Sequence, residues 1–228
     1  MDVGGPKLSL MGMPPEELRA QLHDLAQTSS LEEAEEERAP DGAVKFAFRT
    51  ADGHVVESVL IPHARRTTVC VSSQIGCVFG CRFCATGKQG LVRDLAAGEI
   101  VEQVVRVQAR CQPHRVSNVV FMGMGEPLAN YESVVRAVRV LNQPAGLHIG
   151  ARRIAISTCG LPEQMRRLAA EGLQVALAVS LHPATVLSEM SSCPSTERTP
   201  SRRWSRRRGT SPVAPAGRWP SSTLSSRA

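Results

Sequence analysis

From Thr67 to Ser180 the chain repeats one pattern, a short apolar strand followed by a segment with helical periodicity, and nothing else in the sequence narrows the choice of fold as much. Strands are expected at Thr67 to Ser73, Ser117 to Met122, Arg153 to Ser157 and Val175 to Ser180. Helices are expected between them at Ala96 to Arg110, Tyr131 to Leu141 and Pro162 to Ala170. Such alternation with short connections is the signature of βα units building a parallel sheet, so the class is α/β. In these sheets ligands gather at the carboxyl ends of the strands. Those ends carry Gly123-Met124-Gly125-Glu126-Pro127, Thr158-Cys159-Gly160 and Leu181-His182-Pro183.

Upstream, Ala43 to Arg49 and His54 to Ile61 alternate in polarity around Thr50-Ala51-Asp52-Gly53, which is hairpin chemistry. The alternation puts Glu57 on one face with Val55 and Val59, where a carboxylate is either an edge charge or a residue with a task. One helix is expected from Pro14 to Gln27, and the acidic run Glu32 to Glu37 reads as a solvated face or linker. After about Ala184 all periodicity stops, and Ser, Arg, Pro and Thr dominate. Three regions follow: a helical and acidic fragment over 1–42, a core over 43–184 and an unstructured tail over 185–228. A sheet that breaks off after its fourth strand suggests that the tail is an out-of-frame reading of the true continuation.

The chain of 228 residues has a formal net charge of +6, which invites a nucleic-acid reading. Residues 1–188 hold 19 Lys+Arg and 19 Asp+Glu, whereas 189–228 hold 8 Arg and 2 Glu, so the whole excess sits in the tail. It says nothing about the core. No apolar run approaches the ~18 residues of a membrane span, and the N-terminus lacks the build of a signal peptide. A cytoplasmic protein with no membrane partner is expected.

The seven cysteines are Cys70, Cys77, Cys81, Cys84, Cys111, Cys159 and Cys193. An odd count with three packed together argues for metal or redox chemistry over a disulfide framework. Cys77, Cys81 and Cys84 can hold three irons of a 4Fe-4S cluster and leave the fourth iron open to a small molecule. A zinc site completed by Cys70 or a histidine is the other reading of the same spacing. Gly76, Gly80 and Gly87 permit tight turns around the loop, and Phe79 and Phe83 can shield a cluster.

A cysteine loop after the first strand of a βα repeat, with Gly-Glu after the second, resembles the radical S-adenosylmethionine (SAM) superfamily. The likeness narrows with Cys70-Val-Ser-Ser-Gln-Ile-Gly-Cys77, Cys81-Arg-Phe-Cys84-Ala-Thr-Gly, Phe121-Met-Gly-Met-Gly-Glu-Pro127, Ile156-Ser-Thr-Cys-Gly160 and Val179-Ser-Leu-His182. Together, over about residues 43 to 183, these resemble the bacterial dual-specificity adenosine-C2 RNA methyltransferases. Their C8-methylating relatives are the nearest alternative, and a non-catalytic metal- and RNA-binding module is another. The resemblance implies a partial parallel βα barrel, a 4Fe-4S cluster and SAM as cofactors, 23S rRNA and tRNA as substrates, a flavodoxin-type electron donor and a monomeric enzyme.

By the same resemblance Cys77, Cys81 and Cys84 are the cluster ligands. Gly125 and Glu126 receive the amino group of SAM, and Ser157, Ser180, Leu181 and His182 make further SAM contacts. Glu57 matches the proton acceptor. Cys70 matches the cysteine that resolves a covalent protein–RNA thioether through a transient disulfide. Cys111 and Cys159 are expected to be unreactive. The family carries its methyl group on another cysteine near the C-terminus. Cys193 is the only cysteine downstream of the motifs and lies too soon after the fourth strand to match it. As displayed, the chain is therefore expected to be inactive, with no methyl group attached to any cysteine when SAM is supplied.

Overall fold

The computed structural model describes residues 29–81 and 84–180. The expected helix at Pro14 to Gln27, Phe83, Leu181, His182, Cys193 and the tail lie outside the described residues. Nine strands and three α-helices are described: β1 (Leu31–Arg38), β2 (Val44–Thr50), β3 (Val55–His63), β4 (Arg66–Cys70), β5 (Gln74–Gly76), β6 (Leu91–Asp94), α1 (Ala97–Arg110), β7 (Asn118–Phe121), α2 (Tyr131–Asn142), β8 (Ile154–Thr158), α3 (Pro162–Ala170) and β9 (Ala176–Val179). The main sheet runs β1-β2-β3-β4-β7-β8-β9, antiparallel as far as β4 and parallel from β4 onward. All four expected parallel strands and the three helices between them are present, so the α/β, partial βα-barrel class holds.

The sheet buries one face under its helices. Val56, Ser58 and Leu60 of β3, Val69 of β4, Val119 and Phe121 of β7, and Ile154 and Ile156 of β8 point into a core shared with Ile100, Val104 and Val107 of α1 and Val134, Val138 and Leu141 of α2. Period-2 burial on the strands and helical-period burial on α1 and α2 meet there, which is the packing that binary patterning dictates. Phe46 and Phe48 of β2 extend the core, their rings stacked with centroids 5.9 Å apart. The hairpin closes at Gly53 with φ +83°, as the Asp-Gly signal requires.

Two elements were not legible beforehand. The acidic run, expected as a solvated face or linker, is a strand in register with β2. Arg110 pairs with Glu33 at 2.6 Å, and Arg106 donates to the Leu31 carbonyl at 2.6 Å, so α1 supplies the countercharge and anchorage that let the run order. The other is the small antiparallel pair β5–β6, whose strands flank the cysteine loop.

Candidate active site

The face of the sheet away from α1 and α2 carries the polar residues expected from the sequence. Register settles which residues share it: Val59 of β3 pairs with Cys70 of β4, Cys70 with Val120 of β7, and Val120 with Ala155 of β8. Glu57 and Ser157 stand two residues along from Val59 and Ala155, hence on the same face. The structure thus brings Glu57, Cys70 and Ser157 onto one surface. Ser180 follows β9, where its N–H donates to the Thr158 carbonyl at 2.9 Å.

Glu57 is half-exposed, with Lys45 Nζ 3.8 Å from its Oε1. Burial pushes the Cys70 thiol up to about 11, with an opposing contribution from the Met122 backbone, so it is a protonated thiol at neutral pH. Burial likewise raises Cys111, whose Sγ faces the Val107 carbonyl at 3.1 Å. The six described cysteines form no disulfide with one another.

The cysteine loop leaves the sheet through β5 and returns through β6. Gly76 closes its base with φ +74°, and a Cβ there would sit 1.8 Å from the Gly90 carbonyl oxygen. Gly87 is packed as tightly, since a Cβ would lie 2.8 Å from the Cys81 oxygen and 3.1 Å from that of Phe79. Cys81 is buried, while Cys77 and Cys84 are half-buried. Among the described residues no three His, Cys, Asp or Glu side chains converge on a metal position. The loop therefore groups Cys77, Cys81 and Cys84 in one segment without gathering them into a ligating group. Their chemistry still fits an iron-sulfur cluster: the donors are soft thiols, and the Phe79 N–H already donates to Cys77 Sγ at 3.4 Å, the kind of bond that tunes a cluster-bound sulfur.

Glu126 is 2% exposed, and burial raises its pKa against the pull of its hydrogen bonds. Its carboxylate is engaged by the protein: Oε1 accepts the Leu128 N–H at 3.0 Å and Oε2 the Cys159 N–H at 2.8 Å. Gly125 has φ +97°, and a Cβ there would meet Gln74 Cβ at 2.5 Å, so this position admits only glycine. The loop it belongs to docks on residues 71–74. Gly123 N–H donates to Val71 O at 3.0 Å, Met124 N–H to Ser72 Oγ at 2.9 Å, and Ser73 N–H to Met124 O at 2.8 Å. Ser72 Oγ donates in turn to the Glu57 carbonyl at 2.6 Å, linking β3 to the loop after β7.

Sequence reasoning passed over this hub. Ser72, Ser73 and Gln74 are each no more than 1% exposed, and Gln103 of α1 is fully buried against Ser58 and Ser72. The strand expected at Thr67 to Ser73 includes Ser72 and Ser73, but nothing in the sequence signals that these residues and Gln74 are buried hydrogen-bonding groups.

Residues 71–187 match the Radical SAM superfamily model. The chain is 51% identical over 167 residues to the dual-specificity RNA methyltransferase RlmN of Syntrophobacter fumaroxidans, covering 73% of this chain and 48% of that one. It is 57% identical over 144 residues to the probable dual-specificity RNA methyltransferase RlmN of Acaryochloris marina, covering 63% and 40%. A radical SAM methyltransferase from Sphaerobacter thermophilus, known from its crystal structure, superposes with a TM-score of 0.78 at 45% identity, covering 83% of this chain and 56% of that one. The chain spans about half the length, or less, of the curated relatives it matches.

Proposed function

Because the chain belongs to the radical SAM superfamily, we propose that it forms the cofactor-binding core of an RNA methyltransferase acting on C2 of adenosine in 23S rRNA and in tRNA. The observation that carries this reading is the shared sheet face of Glu57, Cys70 and Ser157, bounded at the carboxyl ends of β4 and β7 by the cysteine loop and the Gly125-Glu126 loop. The printed names of its relatives, dual-specificity RNA methyltransferases, support the same activity.

In this reading Cys77, Cys81 and Cys84 hold a 4Fe-4S cluster, and Gly125, Glu126, Ser157, Ser180, Leu181 and His182 hold SAM. When bound, the cluster supplies the electron that cleaves SAM reductively. Each oxygen of Glu126 accepts one N–H, which fixes the backbone of its own loop and of the loop at Cys159, and a carboxylate oxygen has a further lone pair with which to accept a hydrogen bond from the amino group of SAM. Glu57 accepts the proton that must leave the adenine carbon, a task suited to a half-exposed carboxylate beside a lysine. Cys70, held as a protonated thiol by burial, is placed to release the RNA by attacking the sulfur of the family's methyl-carrying cysteine, a position that this chain does not match, so that the carbon–sulfur bond to the RNA breaks as a disulfide between the two cysteines forms. A flavodoxin-type electron donor, a monomeric state and a cytoplasmic setting complete the proposal. So does the division into a 1–42 fragment, a 43–184 core and a 185–228 tail. No helix among the described residues is long and apolar enough to cross a membrane.

Anaerobic reconstitution with iron and sulfide, followed by SAM and a reductant, tests the reading. Formation of 5′-deoxyadenosine supports it, and a colourless protein loaded with zinc overturns it.

A further inference from the structure

Gln74 is 1% exposed, and its side-chain amide lies between three segments that are distant in sequence. Oε1 accepts the N–H of Glu126 at 2.9 Å and, on its other side, the N–H of Val78 at 3.3 Å. Nε2 donates to Asp94 Oδ1 at 2.7 Å, on the strand that brings the cysteine loop back. Its backbone N–H also reaches the Met124 carbonyl at 3.2 Å, and a Cβ on Gly125 would lie 2.5 Å from its own Cβ. The orientation of the amide is fixed by its partners, since the acceptor end faces two N–H groups and the donor end faces a carboxylate. Few side chains meet both demands. A carboxylate would oppose Asp94, and an apolar chain would leave the buried Glu126 N–H without its acceptor.

We propose that Gln74 is a positioning residue. It sets the separation and register between the cysteine loop and the Gly125-Glu126 loop, so that one molecule of SAM is met by both loops together. The inference rests on the function proposed above. Its physical content is preorganisation: two loops that were independently mobile would each have to be ordered on binding, and a single buried amide bonded to both removes that cost in advance.

The full chain, reconstituted with iron and sulfide, provides the test. SAM affinity is measured by calorimetry, together with the change SAM makes in the paramagnetic resonance spectrum of the reduced cluster. Gln74→Met keeps the length of the side chain without donor or acceptor, and should weaken SAM roughly tenfold and suppress the spectral change at unchanged iron content. The exchange Gln74→Glu with Asp94→Asn reverses donor and acceptor at one contact while keeping an acceptor for Glu126 and Val78. It should restore both readouts. A merely structural role would lower the melting temperature of Gln74→Met without moving the affinity or spectrum of the folded protein. Equal affinity in wild type and Gln74→Met, both iron-replete, overturns the proposal. Should Gln74→Met fail to fold, the exchange pair decides: wild-type affinity upholds the proposal, and a tenfold loss overturns it. Failure of the wild-type chain to bind SAM overturns the functional reading itself, and the inference falls with it.

Discussion

The carboxylate of Glu126 accepts the amide hydrogen of Cys159 at 2.8 Å, so a side chain from the loop after β7 holds the backbone after β8. Parallel neighbours share ladder bonds only along the strands, and the loops beyond them need other ties. Here the tie is a buried carboxylate with its second oxygen on the Leu128 N–H.

Replacing that carboxylate should loosen both loops. Glu126→Ala leaves two N–H groups without their acceptor and should lower the unfolding free energy by about 2–3 kcal/mol. Urea unfolding measures the loss, and hydrogen exchange should show faster amides at residues 158–160. Unchanged protection there would refute the tie.

The base of the cysteine loop tolerates no side chain at Gly76, where a Cβ would overlap the Gly90 carbonyl. Gly76→Ala must open the β5–β6 pair, because the obstacle is backbone. The variant should fold around its main sheet, with an ordinary circular dichroism spectrum, yet lose most of its iron on reconstitution. Full iron loading would show that the pair is not needed to form the loop.

Much of this architecture could be read from the residues. The hairpin, four parallel strands and three helices fall within a few positions of expectation, because each has its own period and its own turn chemistry. The strand expected to run to Ser73 ends at Cys70, and the reason is physical: the Val71 N–H still bonds the Val120 carbonyl at 2.9 Å, but Ser72 and Ser73 turn to the loop after β7 and bond Met124 instead. Bonds between residues about fifty positions apart leave no local pattern, so the parts played by Ser72 and Gln74 are not visible in their own neighbourhood. For the same reason β1 was missed, since its order depends on arginines of α1 that no window around Glu32 contains. Among the candidate site residues, those with a signal in their own neighbourhood are the three cysteines, by their spacing, and Glu57, a carboxylate on a strand face with valines.

Cys70 offers a pH signature. With its thiol raised to about 11 by burial, the reactive thiolate fraction should climb about tenfold per pH unit from pH 7 to 10. Alkylation of the Cys70 peptide by iodoacetamide, followed by mass spectrometry, should rise accordingly. A plateau between pH 8 and 9 would contradict the burial argument. The sign for stability is the opposite: the unfolded chain gives up this proton first, so from about pH 9.0 toward 11 the fold loses stability.

Gln103 is the second buried amide of the hub. Its Oε1 accepts from Ser58 Oγ at 2.7 Å and from the Ser72 N–H at 2.9 Å, and its Nε2 donates to the Ser72 carbonyl at 3.1 Å. Gln103→Met preserves volume but orphans these groups, and about 2–4 kcal/mol of stability should be lost. Ser58→Ala, which removes one of the orphaned partners, should recover part of that loss in the double variant. Strict additivity of the two changes would mean that they do not communicate.

The two borders of the main sheet differ in kind. β1 carries glutamates along its length and a bulge between Glu33 and Glu35, so a strand approaching from that side meets repulsion and broken register. β9, Ala-Leu-Ala-Val, carries no charge, and Leu177 is 39% exposed. Lateral growth of the sheet is therefore directional. Among the described residues, a further strand from this chain or from another has one border that accepts it, so charge placed on β9, as by Leu177→Lys, is the direct way to keep copies of the protein apart.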